Sequence, residues 1–190
     1  MRFEKGHKEI TKKRIIDVAS KCFKKNGVSA TGLAGVMTKS GLTNGAFYAH
    51  FESKEALIGE ALEAALTEQH SKLASKGKIN IEEAIRSYLK KSHVTNWDDG
   101  CPSAALLPEI GRQSFSIKKT YQNQFISYAK SLALLLPNPH SDETLRVATA
   151  IFSLMIGTLQ IARAVSDPLL ADKILENGIQ SALTLIPNNS

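Results

Sequence analysis

Two cysteines in 190 residues, Cys22 and Cys101, leave no disulfide framework for this chain to be built on. No charge-free apolar run reaches the ~20 residues that span a bilayer. The nearest is 147–162, bracketed by Arg146 and Arg163 and interrupted by Thr149, Ser153, Thr158 and Gln160; it reads as a buried or interface helix. The N-terminus is charged and polar, without the apolar segment of a secretory leader. These absences point to a cytoplasmic protein with no membrane partner.

Catalytic spacing is missing as well. The histidines are His7, His50, His70, His93 and His140, and none pairs at a metal-binding interval. No Gly-x-Ser-x-Gly elbow occurs, and no glycine-rich loop follows a strand, because no strand of any length is indicated. His93 and Cys101 flank Asp98 and Asp99, which reads as a loop with incidental polar residues. No cofactor and no metal are expected, and the chain is not read as an enzyme. A small helical enzyme or carrier with an incidental basic head remains as an alternative.

What is present is helix. Apolar positions at Ile15, Val18, Ala19, Cys22 and Phe23 repeat at helical spacing. Gly27 is placed to end that helix, Thr31 to cap a second over 31–39, Thr43 a third and Ser53 a fourth. The fourth runs to about residue 75 as a rod, followed by a linker at 75–78. Asn80 opens a fifth helix, through Leu89, and Asn96 to Pro102 is a loop. A short helix from Ser103 is expected to kink or break at Pro108, which lacks an N–H. Helices over 116–136, 141–166 and 169–186 complete an all-α chain of about nine helices, with a fraying tail at 187–190. Composition is ordinary for a globular protein, at 43% hydrophobic and 22% charged.

Charge is not evenly spread. Residues 1–54 carry 11 Lys/Arg against 4 Asp/Glu, while residues 55–190 carry 13 against 14. The whole net charge of +6 thus sits in the first third, the footprint of a polyanion binder. In that third, Gly41-Leu42-Thr43-Asn44-Gly45-Ala46-Phe47-Tyr48-Ala49-His50-Phe51-Glu52-Ser53-Lys54 follows a short amphipathic helix. Two short helices about a glycine turn make a helix-turn-helix, whose second helix enters the DNA major groove.

The segment resembles the DNA-binding domain of the TetR (tetracycline-repressor) family of bacterial transcription regulators. The resemblance runs from Lys12-Lys13-Arg14-Ile15-Ile16 through Phe23, Gly27, Thr31, Val36, Gly41-Leu42 and Phe47-Tyr48-Ala49-His50-Phe51 to Lys54-Glu55-Ala56-Leu57. Met37, where many members have Ala, and Gly32, where Ser or Thr is common, depart from it. The resemblance implies a helix-turn-helix domain over 1–54 and a ligand-binding and dimerisation domain over 55–190, joined by the helix from residue 55. It also implies a repressor released from a palindromic double-stranded DNA operator by a small apolar or amphipathic effector.

Asn44 is the candidate for direct base reading, since a carboxamide pairs bidentately with adenine. Thr43, Gly45 and Ala46 open the same helix: Gly45 allows close backbone approach, and Ala46 suits a thymine methyl. The resemblance gives Tyr48 and His50 phosphate contacts; Lys54 beside them reads as a phosphate clamp, and Thr31 as a further contact. Lys12 and Lys13 are expected to supply field in place of fixed contacts. Phe47 and Phe51 read as core.

In the body, Tyr88, Trp97, Leu106, Phe125, Phe152 and Met155 are candidates for an effector pocket. Residues 97–113, with a turn, Pro108 and Gly111, are expected to be the weakly stable segment that moves. Cys101, in a Gly-Cys-Pro run similar to one in a subset of the family, is the candidate for the alternative trigger, a thiol sensing oxidants or electrophiles. Dimerisation is expected through the eighth and ninth helices. Ala148, Ser153, Gly157 and Ala164 permit close approach, and Ile174, Leu175, Ile179, Ala182 and Leu183 supply apolar surface.

Overall fold

The computed structural model describes residues 5–74 and 79–187. Nine α-helices and one 3-10 helix are present among them, and no strand. They run α1 (Lys5–Asn26), α2 (Leu33–Lys39), the 3-10 helix (Asn44–Ala49), α3 (Lys54–Ala74), α4 (Ile81–Tyr88), α5 (Lys91–Thr95), α6 (Pro102–Ile110), α7 (Phe115–Ala133), α8 (Asp142–Ala164) and α9 (Pro168–Thr184). The linker expected at 75–78 and most of the C-terminal tail lie outside the described residues.

The chain divides into two compact units. The first comprises Met1–Glu68 and Asp98–Tyr121, the second Gln69–Trp97 and Gln122–Ser190. The first unit therefore takes in α6, which the sequence reading assigned to the body.

In the first unit, Ile15, Ala19, Cys22 and Phe23 of α1 meet Val36 and Met37 of α2, Phe47, Phe51, and Leu57, Ile58, Ala61 and Leu62 of α3. Leu106 and Ile110 of α6 and Ile117 of α7 close the same core. The void between these helices is only about 10 Å³, room for roughly one water.

One expectation about α6 needs correction. Pro108 does not break it: the helix starts one residue earlier, at Pro102, and runs through Pro108 to Ile110. A proline so near the end costs a single in-helix bond. Pro102, Ser103, Ala104, Leu106 and Ile110 of the same helix are buried.

In the second unit, α8 and α9 pack along their length. The α8 side chains Val147, Ala148, Ile151, Phe152, Met155, Ile156, Leu159 and Ala162 are buried. So are Leu175, Gly178, Ile179 and Ala182 of α9. Gly178 sits directly on the Thr158 side chain, where any added methyl would collide. By length and composition α8 could cross a membrane, yet half of its apolar window is buried inside the protein, as in a core helix.

The short α5 was not expected. It is held from outside itself: Arg163 of α8 donates to the carbonyls of His93 and Val94, at 2.7 and 3.2 Å. The same guanidinium lies 4.1 Å from the centre of the Trp97 ring. Helix α4 starts as expected at Asn80, in a full capping box with Glu83.

Candidate nucleic-acid interface

The glycines that follow α1 and α2 act as the sequence suggests. Gly27 (φ +83°) follows α1, its N–H donating to the Phe23 carbonyl at 2.8 Å. Gly41 (φ +69°) follows α2, and the N–H groups of Ser40, Gly41 and Leu42 close the carbonyls of Val36, Met37 and Thr38. Thr43 is extended and opens the next helix, which is a six-residue 3-10 turn where an α-helix was expected. The hydrogen bonds of such a turn are poorer than α-helical ones, so tertiary packing must hold it. Phe47 does so, almost fully buried and stacked on Phe51 at 5.4 Å.

Pinning Phe47 and Phe51 inward leaves Thr43, Asn44, Gly45 and Tyr48 exposed, while Ala46 is half-buried against the core. Tyr48 is 73% exposed, its ring edge-on to Phe47. A methyl added at Gly45 would meet nothing within 4 Å, so the surface there is open backbone.

His50 follows the 3-10 helix. Its Nδ1 is buried and has no hydrogen-bond partner among the described residues. Burial, then the nearby ammonium groups of Lys8 and Lys12, holds its pKa below the ordinary imidazole value; Glu9 pulls weakly the other way. Lys54 starts α3, and one of its three N–H groups donates to the Val28 carbonyl at 3.2 Å. Two donors remain for a phosphate oxygen. Lys12 is more than a source of field: its ammonium pairs with Glu60 at 2.7 Å and lies 5.3 Å from the centre of the Phe51 ring.

Thr31 departs from both of its expected roles. The N-cap of α2 is Gly32, without a side-chain cap. Thr31 is buried, and its hydroxyl donates to Gly27 O at 2.7 Å, with Cys22 O at 3.4 Å. It closes the end of α1, whose last carbonyls lack intrahelical partners.

The effector-pocket candidates separate. Leu106 lies in the core of the first unit. In the second unit, Phe152 gathers Phe125 (5.4 Å), Tyr128 (4.5 Å) and Tyr88 (6.4 Å). Met155 is buried on the same helix, and Trp97 is 37% exposed beneath Arg163. Beside these rings the sequence reading missed a polar group. His70 of α3 lies between Ser131 (Nε2, 2.5 Å) and Ser127 (Nδ1, 3.5 Å) of α7. The neighbouring Gln69 carries a buried Nε2 with no partner among the described residues. Both sit in the polar run 67–72 of α3, so only the pairing of α3 with α7 marks them out. Cys101 is buried at the N-cap of α6, its sulfur accepting from Ala104 N at 3.5 Å.

Residues 15–61 match the family model described as bacterial regulatory proteins, tetR family. An uncharacterized HTH-type transcriptional regulator, YerO of Bacillus subtilis, is 34% identical over 93 residues, 46% of this chain and 30% of that protein. The HTH-type transcriptional regulator TtgR of Pseudomonas putida is 39% identical over 74 residues, 39% of this chain and 35% of that protein. The similarity thus spans about a third of each relative's length. Two solved structures extend the likeness of fold to almost the whole chain. A TetR-family transcriptional regulator from Cytophaga hutchinsonii superposes with a TM-score of 0.77 at 21% identity, over 98% of this chain and all of that one. The reduced form of NemR from E. coli gives 0.74 at 19% identity, over 95% and 98%.

Proposed function

We propose that this chain, which belongs to the tetR family of bacterial regulatory proteins, is a dimeric repressor that leaves its DNA operator when a small effector binds. One observation carries the reading. Thr43, Asn44, Gly45 and Tyr48 are exposed on a turn locked by Phe47 and Phe51, within the segment that holds the chain's whole excess of positive charge. Polar donors fixed on an apolar anchor suit a groove floor, and the surrounding cations suit its phosphates. The protein works where the DNA is, in the cytoplasm, and its task is coupled binding in place of covalent chemistry.

Functionally the chain divides at about residue 54, into a DNA-binding head and a body for effector and dimer. In the body, the Tyr88, Phe125, Tyr128 and Phe152 rings with His70 and Gln69 suit an amphipathic effector, its flat apolar part among rings and an acceptor toward Gln69. Cys101 is the weaker trigger, since a thiol buried at a helix N-cap reacts only after that turn opens.

Partner contact falls to the side of α8 that α9 leaves free. Ser153, Gly157, Ile161 and Ala164 repeat at helical spacing there, with Ile161 56% exposed. Leu175, Ile179 and Ala182, expected at the interface, are spent inside the protomer instead.

The test is selection of duplexes from a random-sequence library by the full-length protein, followed by titration. A roughly palindromic site should emerge, with binding steep in salt, each neutralised phosphate adding about −0.9 to the log–log slope. Asn44→Ala should cost on the order of 1–3 kcal/mol at one base position of each half-site. No enriched duplex would overturn the reading, and equal losses on selected and random DNA would remove Asn44 from base recognition.

A further inference from the structure

The residues matched to the family's DNA-binding model end at residue 61, but the loop that enters the helix-turn-helix is held partly from beyond them. That loop, 27–32, joins α1 to α2. Its far end lacks a side-chain cap, because Gly32 occupies the N-cap. It depends on anchors brought to it. Thr31 supplies one, to Gly27 O, and Lys54 a second, to Val28 O. The third comes from α6, 80 residues further along the chain: Oε2 of Glu109 accepts from the Ser29 N–H at 3.0 Å and from its hydroxyl at 3.2 Å. The other oxygen, Oε1, lies over Gly27, 2.5 Å from where a Cβ would stand, so only glycine leaves it room.

Elementary electrostatics argues against a carboxylate here. It sits beside the C-terminus of α1, the wrong end of the dipole for an anion. It also subtracts from a head whose excess positive charge draws a polyanion. Its place is nevertheless fixed, because Leu106 and Ile110, on either side of it in α6, are buried in the common core. We infer that Glu109 is a positioning residue of the DNA-binding head: by holding Ser29 it sets the path of the α1–α2 loop, and hence the angle at which α2 meets DNA. The inference rests on the proposed function. It extends the DNA-binding apparatus to α6, a helix tethered at both ends to the second unit by the chain itself.

The sign of one measurement separates positioning from plain charge. Glu109→Gln keeps the shape and removes a negative charge, so long-range electrostatics alone tightens binding to every DNA. Positioning demands the reverse on the selected duplex, about tenfold weaker binding, the size of one charge-assisted hydrogen bond lost. Random DNA should be bound no more weakly than before, and the salt slope should stay the same because no phosphate contact is removed. Ser29→Ala, which deletes only the hydroxyl, should give a smaller loss of the same kind, and serves if Glu109→Gln folds poorly. Hydrogen exchange on the DNA-free protein gives an independent reading: the amides of Ser29 and α2 should exchange faster in Glu109→Gln.

Unchanged exchange, or selected-duplex binding equal to or tighter than wild type, overturns the inference. A wild-type chain that enriches no duplex removes the proposed function and the DNA role of Glu109 with it. That failure is recognisable because it appears before any substitution is made.

Discussion

The head and the α8–α9 pair expose side chains of opposite kinds. Around the 3-10 helix the exposed groups are hydroxyls, an amide and a phenol, standing on phenylalanines that are nearly inaccessible. On α8 and α9 they are aliphatic: Ile161, Leu169, Leu170 and Leu185. A polar surface on a rigid apolar anchor keeps fixed donors in water at little cost and suits a partner made of acceptors. An aliphatic surface on a helix pair gains free energy only by being covered. Under the proposed function, the first surface suits a charged polymer and the second suits another copy of the chain.

The largest expected effect comes from making the second surface resemble the first. Ile161→Glu places a charge on the free side of α8 without touching the α8–α9 seam. It should give folded monomers by sedimentation, with normal helical circular dichroism, and should weaken binding to the selected palindrome by about a hundredfold or more as the two heads lose their linkage. A dimer that survives moves the interface elsewhere. Ile179→Glu is a poorer probe, because that side chain is buried within the protomer and the variant should lose its fold.

A smaller effect tests the polar surface. With its pKa depressed, the His50 ring is held neutral in the free head. Its contribution to stability is therefore present above the ordinary imidazole value and lost as pH falls from there through the depressed value of the folded head. Under the proposed function, a phosphate beside the ring would reverse the preference, so that DNA binding would take up a proton. Affinity for the selected duplex should rise as pH drops from about 8 to 6, by at most about tenfold per unit, while the melting temperature of the free protein falls. His50→Gln should flatten both trends. A wild-type affinity that ignores pH would separate His50 from the phosphates.

The smallest effect is at Lys12. Its pairing with Glu60 is half-exposed, so Lys12→Ala should cost about 0.2–1 kcal/mol of stability by denaturant melts. If Lys12 also reaches a phosphate, the salt slope should become shallower by about one unit. An unchanged slope would restrict Lys12 to fixing α1 on α3 and Phe51.

What could be read in advance depended on how local the cause was. Gly27 and Gly41 were legible because a positive φ is a demand that one residue meets alone. Phe47 and Phe51 were legible from short-range apolar spacing. Thr31 was misplaced because its hydroxyl had two kinds of acceptor and donor within reach, and sequence does not rank their distances. Five residues of α5 carry too little periodicity to register. The small residues of α8 marked a close helix contact, but Ala148 is buried inside the protomer, and in a helix apolar on several sides the sequence does not tell a contact within the chain from one with a partner. Glu109 was invisible for the simplest reason: its partner is 80 residues away.

The grip of Arg163 on α5 has a further consequence. A five-residue helix does not persist alone, since one turn fixes several dihedrals for a single internal bond. Here its terminal carbonyls are satisfied by a guanidinium rooted in α8, and its first residue, Lys91, is paired with Asp172 of α9. The little helix is therefore borrowed structure, without a melting point of its own. It forms and dissolves as an appendage of the α8–α9 pair, a sentinel whose order reports the integrity of two helices far from it in sequence.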